Sequence, residues 1–67
     1  MSTFLSRLLE EKRSLDEKLE KLIAFFATDT YHSLPDMDQL LLQEQCRTMV
    51  VYTTLLGERI KRSGEHE

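Results

Sequence analysis

The chain has little of what usually stabilises so small a protein. Its 67 residues include a single cysteine, Cys46, and two widely separated histidines, His32 and His66. One cysteine excludes an intrachain disulfide, and neither histidine has a partner at the spacing of a metal site. A chain of this length buries only a modest fraction of its surface, so disulfides, a metal or self-association are the usual supports. Self-association is the support that this composition leaves.

Long hydrophobic runs are also missing, since even the longest, over residues 22–27, has only six residues. A helix needs about 20 apolar residues to cross a bilayer, so no membrane partner is expected. The net charge is −3 and 31% of the residues are charged, which argues against DNA or RNA binding by bulk electrostatics. With one cysteine and no secretory signal, the sequence predicts a cytoplasmic protein.

Residues 2–27 contain neither proline nor glycine and are rich in Leu, Glu, Lys and Arg, which favour helix. Apolar residues recur there at alternating steps of three and four, interrupted only at Lys12, and this heptad pattern is typical of a helix in a bundle. The positions are Leu5, Leu8, Leu15, Leu19, Leu22 and Phe26. We therefore predict a first helix over residues 2–27.

Residues 28–33 are rich in side chains that compete for backbone hydrogen bonds, which predicts the loop of a hairpin. Ser33 is the predicted N-cap of a second helix, with Pro35 in its first turn and Asp36 completing a capping box. This helix is predicted to span residues 34–62. Gly64 marks its expected end, and residues 63–67 form a frayed tail.

The second predicted helix has two apolar stripes. One has a polar gap at Thr53 and comprises Leu42, Cys46, Met49, Leu56 and Ile60; the other comprises Leu41, Gln45, Thr48, Tyr52, Leu55 and Arg59. One partner helix cannot cover both stripes, so this helix should pack on the first helix with one side and on another subunit with the other. The predicted fold is a single all-α domain of residues 1–67, an antiparallel two-helix hairpin that assembles into a homo-oligomeric helical bundle.

No arrangement of residues suggests catalysis, because no nucleophile, base and orienting group can be placed together. Glycine-rich phosphate loops are absent, and no cofactor or metal is expected. Cys46 falls on an apolar stripe and is interpreted as a packing residue. Gly57 lies inside the second helix, where it indicates either the close approach of another group or a tolerated weak point. The sequence therefore predicts a binding protein and not an enzyme.

Three residues of the second helix are candidate ligand contacts. Tyr52 and Arg59 are seven positions apart on one face, where they could offer an aromatic surface and a guanidinium to a planar anion. A packed tyrosine and an arginine lying along the apolar surface are the alternative. Arg47 is the third candidate, and its alternative role is an ion pair with Glu44, three residues earlier.

Two aromatic residues of the predicted loop form a secondary candidate site. Tyr31 and His32 follow Phe25 and Phe26 and are expected to cover the tip of the hairpin, although loops also carry binding groups. Both interpretations are open at this point.

A further set of positions extends over nearly the whole chain. It comprises Phe4, Arg7, Leu8, Glu11, the run of residues 17–22, Phe25, Phe26, Leu34, Pro35, Gln45, Met49, Tyr52, Leu55, Leu56, Arg59 and Ile60. On these residues the chain resembles very small phage-encoded helical-hairpin proteins that are related to a crAss-like phage gene product. The resemblance implies phage origin and the cytoplasm of an infected bacterial host.

The chain is also similar in size and hairpin style to phage sponges that sequester cyclic-nucleotide or ADP-ribose-type immune signals, without carrying their specific motifs. In such sponges the ligand lies between subunits of a symmetric oligomer. The leading hypothesis is thus a homo-oligomeric counter-defence protein that binds a nucleotide second messenger through Arg47, Tyr52 and Arg59, assisted by Tyr31 and His32. The alternative is a module that docks on a host protein and inhibits it, and a purely structural coiled-coil adaptor is a third possibility.

Overall fold

A computed structural model describes residues 3–65, and within them every regular element is helical. The elements are α1 (Thr3–Phe25), the one-turn helix α2 (Asp29–His32) and α3 (Asp36–Glu65). The chain measures 48 × 15 × 13 Å, and its radius of gyration of 15.3 Å exceeds the roughly 11 Å expected for a compact domain of this length. The all-helical prediction is confirmed for the described residues, and the hairpin is elongated.

Residues early in α1 contact residues late in α3, and later residues of α1 contact earlier residues of α3. Near the open end, the Arg59 guanidinium lies 5.9 Å from the centre of the Phe4 ring. Further along, Lys12 Nζ donates a hydrogen bond to Thr53 Oγ1 at 3.2 Å. These contacts define an antiparallel hairpin with α2 at its tip. None of the helices within residues 3–65 is long and apolar enough to cross a membrane.

The predicted loop contains the short helix α2. After α1 ends at Phe25, the backbone forms a tighter turn than that of an α-helix, because the Thr28 N–H donates to the carbonyl of Phe25, three residues earlier, at 3.0 Å. Thr28 has an extended backbone and its Oγ1 accepts from the Tyr31 N–H at 3.2 Å, which makes it the N-cap of α2. The same residues that end the first helix therefore start a new helical turn.

The predicted N-cap at Ser33 is wrong. Its backbone is helical, with φ −88° and ψ −5°, and its N–H and hydroxyl bond back to carbonyls of α2, including Thr30 O at 2.8 Å from Oγ. An N-cap needs an extended backbone and a free side-chain acceptor, and Ser33 offers neither because it closes α2. α3 begins at Asp36, and the Gln39 side-chain amide donates to the Leu34 carbonyl at 2.9 Å.

The second long helix also extends further than predicted. It continues through Gly64 to Glu65, and no described glycine has a positive φ. Gly64 therefore does not adopt the left-handed conformation that commonly terminates a helix. Residues 66 and 67 of the predicted tail lie outside the described residues.

Little of the chain is deeply buried. Leu8 of α1 and Leu56 of α3 have 3% and 1% of their surface exposed, and Tyr31 is 6% exposed at the tip. Half-buried residues extend this seam along both helices: Leu5, Leu15, Leu19, Leu22, Leu42, Cys46, Met49 and Ile60. The hairpin thus has one narrow core, which follows the heptad positions predicted for the first helix and the first stripe of the second.

The two long helices differ on the sides that face away from this core. The outer side of α1 is formed by exposed polar residues: Ser6, Glu10, Arg13, Ser14, Glu17 and Lys21. Among the described residues, α3 instead contributes seven of the ten large hydrophobic residues that are exposed: Met37, Leu40, Leu41, Val50, Val51, Tyr52 and Leu55. The apolar surface left uncovered by the hairpin is therefore concentrated on α3.

Candidate functional site

The polar residues that interrupt the two apolar seams contact each other. Lys12 Nζ donates to Asp16 Oδ2 at 2.8 Å and to Thr53 Oγ1 at 3.2 Å, and the Thr53 hydroxyl also donates to Asp16. The hydrogen bond from Lys12, followed by that from Thr53, lowers the pKa of the Asp16 carboxyl. Each interruption looked like a gap when its helix was considered separately. Together they form a polar bridge that fixes the register of α1 against α3.

Tyr52 and Arg59 lie on one flank of the hairpin, where α3 meets α1. The Tyr52 hydroxyl donates a hydrogen bond to the Glu11 carboxylate, and the Arg59 guanidinium lies over the Phe4 ring. Seven residues separate the two α3 positions, which is about 10.5 Å along a helix. Tyr52 is 42% exposed and Phe4 56% exposed, so their rings are accessible to solvent. We call these four residues the Tyr52 flank.

The Tyr52 flank combines three chemical groups that a nucleotide can use. Two aromatic rings offer surfaces for stacking, and the Arg59 guanidinium can form charge-assisted bonds to a phosphate. The Glu11 carboxylate accepts hydrogen bonds, so it suits the N–H donors of a base edge and disfavours a phosphate beside Tyr52. An anionic group would therefore have to lie toward Arg59.

The sequence interpretation missed Glu11 as a member of this surface, because the residue belongs to a long mixed-charge stretch of α1. A signal was present in its position. Glu11 is three residues after Leu8 and four before Leu15, so it borders the buried stripe of α1 and faces the side of α3.

Arg47 lies elsewhere. It is on the side of α3 that faces away from α1, where its side chain is 76% exposed and its Nη2 is 3.6 Å from Glu44 Oε2. The predicted pairing with Glu44 is therefore present, as a loose surface contact. Twelve residues, about 18 Å of helix, separate Arg47 from Arg59. One protomer does not bring Arg47 together with the Tyr52 flank.

Tyr31 and His32 lie at the tip, at the other end of α3 from Arg59. The Tyr31 ring packs edge-on against Phe26, Phe25 and His32, with centroids 4.9, 6.0 and 5.3 Å away, and its hydroxyl accepts from Gln43 Nε2 at 2.8 Å. Tyr31 is buried and His32 is exposed. Tyr31 thus stabilises the tip, and only His32 of this pair presents its ring to solvent.

Cys46 and Gly57 both lie on the side of α3 that faces α1. Cys46 is a free, half-buried thiol. A Cβ added at Gly57 would lie 3.5 Å from the Lys12 Cε, an ordinary contact with the flexible part of a side chain. Within residues 3–65, no group of His, Cys, Asp and Glu side chains is arranged to hold a metal ion. The Tyr52 flank is therefore the richest candidate site of a single protomer.

Comparison with known protein families gives a match that covers nearly the whole chain. The model of the Sequestin family matches residues 2–62, which are 61 of the 67 residues and include both long helices as far as Arg62. No curated protein and no solved structure matches the chain. The matched region contains Tyr31, His32, Arg47, Tyr52 and Arg59.

Proposed function

Because the chain belongs to the Sequestin family, we propose that it binds and sequesters a nucleotide immune second messenger for a phage. The family name denotes sequestration, which is a binding function and not a catalytic one. The proposal extends this to a ligand class and to a counter-defence role in the cytoplasm of an infected bacterium. It also assigns the ligand to surfaces shared by the subunits of a homo-oligomer.

The Tyr52 flank is the observation that carries the choice of ligand. A cyclic nucleotide or an ADP-ribose-type signal combines flat bases with phosphates, and this flank combines open rings with a guanidinium. The net charge of −3 disfavours binding of polyanions by charge alone. A compact ligand recognised by stacking and a few directed bonds fits this chain better than a long nucleic acid.

The candidate residues then have different roles. Tyr52 stacks on a base, Arg59 binds a phosphate, and Glu11 accepts hydrogen bonds from the base edge after Tyr52 turns its hydroxyl away. Arg47 and His32 are too far from this flank to touch the same small ligand in one protomer. They would contribute through a neighbouring subunit, while Tyr31 holds the tip that presents His32.

The test is a thermal-shift and solution-mass experiment with cyclic dinucleotides, cyclic trinucleotides and cyclic ADP-ribose isomers. A ligand at 100 times its dissociation constant adds about 2.7 kcal/mol to the free energy of unfolding, which raises the Tm of a chain this size by roughly 10–20 °C. We expect such a shift with one ligand class. Arg59→Ala and Tyr52→Ala should abolish or weaken it.

Arg13→Ala is the matched control, because Arg13 is an exposed arginine on the polar outer side of α1 that pairs with Glu10 at 2.7 Å. It removes the same charge as Arg59→Ala and should keep the shift. An equal loss in both variants would mean that net charge, and not the Tyr52 flank, governs binding. If no ligand of the panel shifts the Tm of the unmodified protein, the nucleotide assignment is wrong.

Inhibition of a host protein is the second candidate function, and a separate surface favours it. The start of α3 exposes Met37, Leu40 and Leu41 beside the carboxylates of Asp36 and Asp38. Such a surface suits a partner with an apolar groove and a basic rim. A host protein captured by the unmodified chain and released by Leu40→Asp, with no ligand shift in the panel, would favour this function over sequestration.

A further inference from the structure

A second heptad pattern follows the side of α3 that faces away from α1. We call it the outer seam: Met37, Leu41, Glu44, Thr48, Val51, Leu55, Glu58 and Arg62. These positions alternate steps of four and three and are all exposed. The first six of these positions each lie five residues before a position of the seam that contacts α1, which is a rotation of about 140° around the helix. α3 therefore has two heptad faces, and the hairpin covers only one.

The uncovered surface has the size of a dimer interface. The chain exposes 5266 Å², whereas a compact protein of 7.9 kDa exposes about 4,400 Å². The excess of roughly 850 Å² compares with about 800 Å² buried per partner in a standard stable interface. The outer seam is also about 38 Å long, since it spans 25 helical steps. A second copy of α3 matches it in length and in heptad spacing.

The charges on the outer seam select the orientation of that second copy. In a parallel pair, Glu44, Glu58 and Arg62 would each face the same residue of the partner across the seam, which places like charges together. In an antiparallel pair centred between Thr48 and Val51, Glu58 faces the partner's Leu41, and Asp38 lies beside the partner's Arg59. Antiparallel packing thus replaces repulsion with attraction, and it also opposes the two helix dipoles.

We propose that the outer seam is the interface of a two-fold homodimer in which two α3 helices pack antiparallel. The apolar layers are formed by Val51 against the partner's Thr48 and by Leu55 against the aliphatic part of the partner's Glu44. The polar outer sides of α1 remain on the surface of the dimer. This arrangement explains why α3 is apolar on two sides and α1 on only one.

The dimer also completes the candidate site, a consequence that rests on the proposed function whereas the interface itself does not. In an antiparallel pair, residues at e positions of both helices share one side of the interface. The outer seam supplies the a and d positions of this heptad, with Glu44 and Val51 at d. Gln45 and Tyr52 follow them and are therefore e positions, so Tyr52 lies beside the partner's Gln45. The two Tyr52 side chains flank the two-fold axis on that side, about 7.5 Å apart along the helix direction. The ligand surface is then built from both protomers.

Cysteine cross-linking tests the interface and its direction without any ligand. In a Cys46→Ala background, Leu41→Cys and Glu58→Cys are prepared as separate single variants, then oxidised alone and as an unfolded and refolded mixture. The antiparallel dimer gives a disulfide between the two variants in the mixture. Neither variant cross-links alone, because its two sulfurs are then separated by 17 residues, about 26 Å.

The opposite result, cross-linking of each variant alone and none between them, would establish a parallel pair and overturn the proposal. Absence of any cross-link together with a monomeric mass by light scattering would overturn the interface altogether. Ser14→Cys, on the polar outer side of α1, should stay uncross-linked in every sample. As an independent arm, Val51→Lys should reduce the solution mass to that of a monomer, whereas Ser14→Lys should leave the dimer unchanged. If both lysine variants remain dimeric, the outer seam is not the interface.

Discussion

Leu55 and Leu56 are neighbours in α3, yet their surroundings are opposite. Leu56 is 1% exposed between the two long helices, whereas Leu55 is 55% exposed on the outer seam. Replacing each by alanine removes the same atoms from adjacent positions of one helix. The pair therefore separates the stability of the hairpin from the stability of the proposed dimer.

Leu56→Ala should cost about 2–4 kcal/mol, because a fully buried leucine loses its transfer free energy and leaves a cavity that the narrow core can only partly close. A 67-residue chain is stabilised by roughly 3–10 kcal/mol in total. The variant should thus lose about 10–25 °C in Tm, or fail to fold, at every protein concentration.

Leu55→Ala should behave differently. In a monomer it would change the free energy of unfolding by less than about 0.5 kcal/mol, as surface substitutions usually do. In the dimer it uncovers an interface leucine that is about half exposed in the protomer, which should cost about 1 kcal/mol per protomer. Because the cost falls on association, the Tm of this variant should depend more steeply on protein concentration than that of the unmodified chain.

The assay is circular dichroism melting of both variants over a hundredfold range of protein concentration. Equal, concentration-independent losses in the two variants would mean that Leu55 and Leu56 are buried alike, and the described packing of α3 would be wrong. A negligible loss in Leu56→Ala would refute the position of the core. If the Tm of Leu55→Ala equals that of the unmodified chain at all concentrations, the outer seam is not an interface, although the description of the hairpin would stand.

The remaining predictions concern the polar bridge, the glycine in α3 and the tip. The pKa of Asp16 is lowered by Lys12, so the ionised carboxylate stabilises the fold above the ordinary aspartate pKa, and this stabilisation is lost as pH falls through the pKa of the folded state. Acid titration of the helical signal should show this loss, and Asp16→Asn should remove it. Gly57→Ala should raise the Tm by roughly 4–8 °C, since helix propensity improves by about 1 kcal/mol and the added Cβ meets only the Lys12 side chain at 3.5 Å; a lower Tm would indicate a closer approach in the assembly. Tyr31→Phe should cost about 1 kcal/mol in urea unfolding by removing the acceptor of the Gln43 hydrogen bond, and a larger loss would show that the hydroxyl has partners beyond Gln43.

The periodicity of the sequence determined the helical class and the faces of the two long helices. Steps of three and four place Leu8 on the buried stripe of α1 and Leu56 on that of α3, and both are buried. This works because helix geometry is local, so residue spacing fixes which side chains share a face. For the same reason, the spacing also indicated a second apolar stripe on α3, which a single partner helix could not cover.

Only the tertiary structure decided which polar residues meet and where the chain turns. Lys12 and Thr53 looked like separate gaps until the register of the hairpin brought them together, and Glu11 joined Tyr52 in the same way. Such pairings depend on contacts between residues more than 35 positions apart, which no local pattern encodes. Ser33 illustrates the other limit, because several residues of the tip can cap a helix and packing of Tyr31 against Phe26 favours a turn that uses Thr28. The sequence by itself determined which faces must be covered, and the tertiary structure decided that α1 covers one face of α3 and leaves the other exposed.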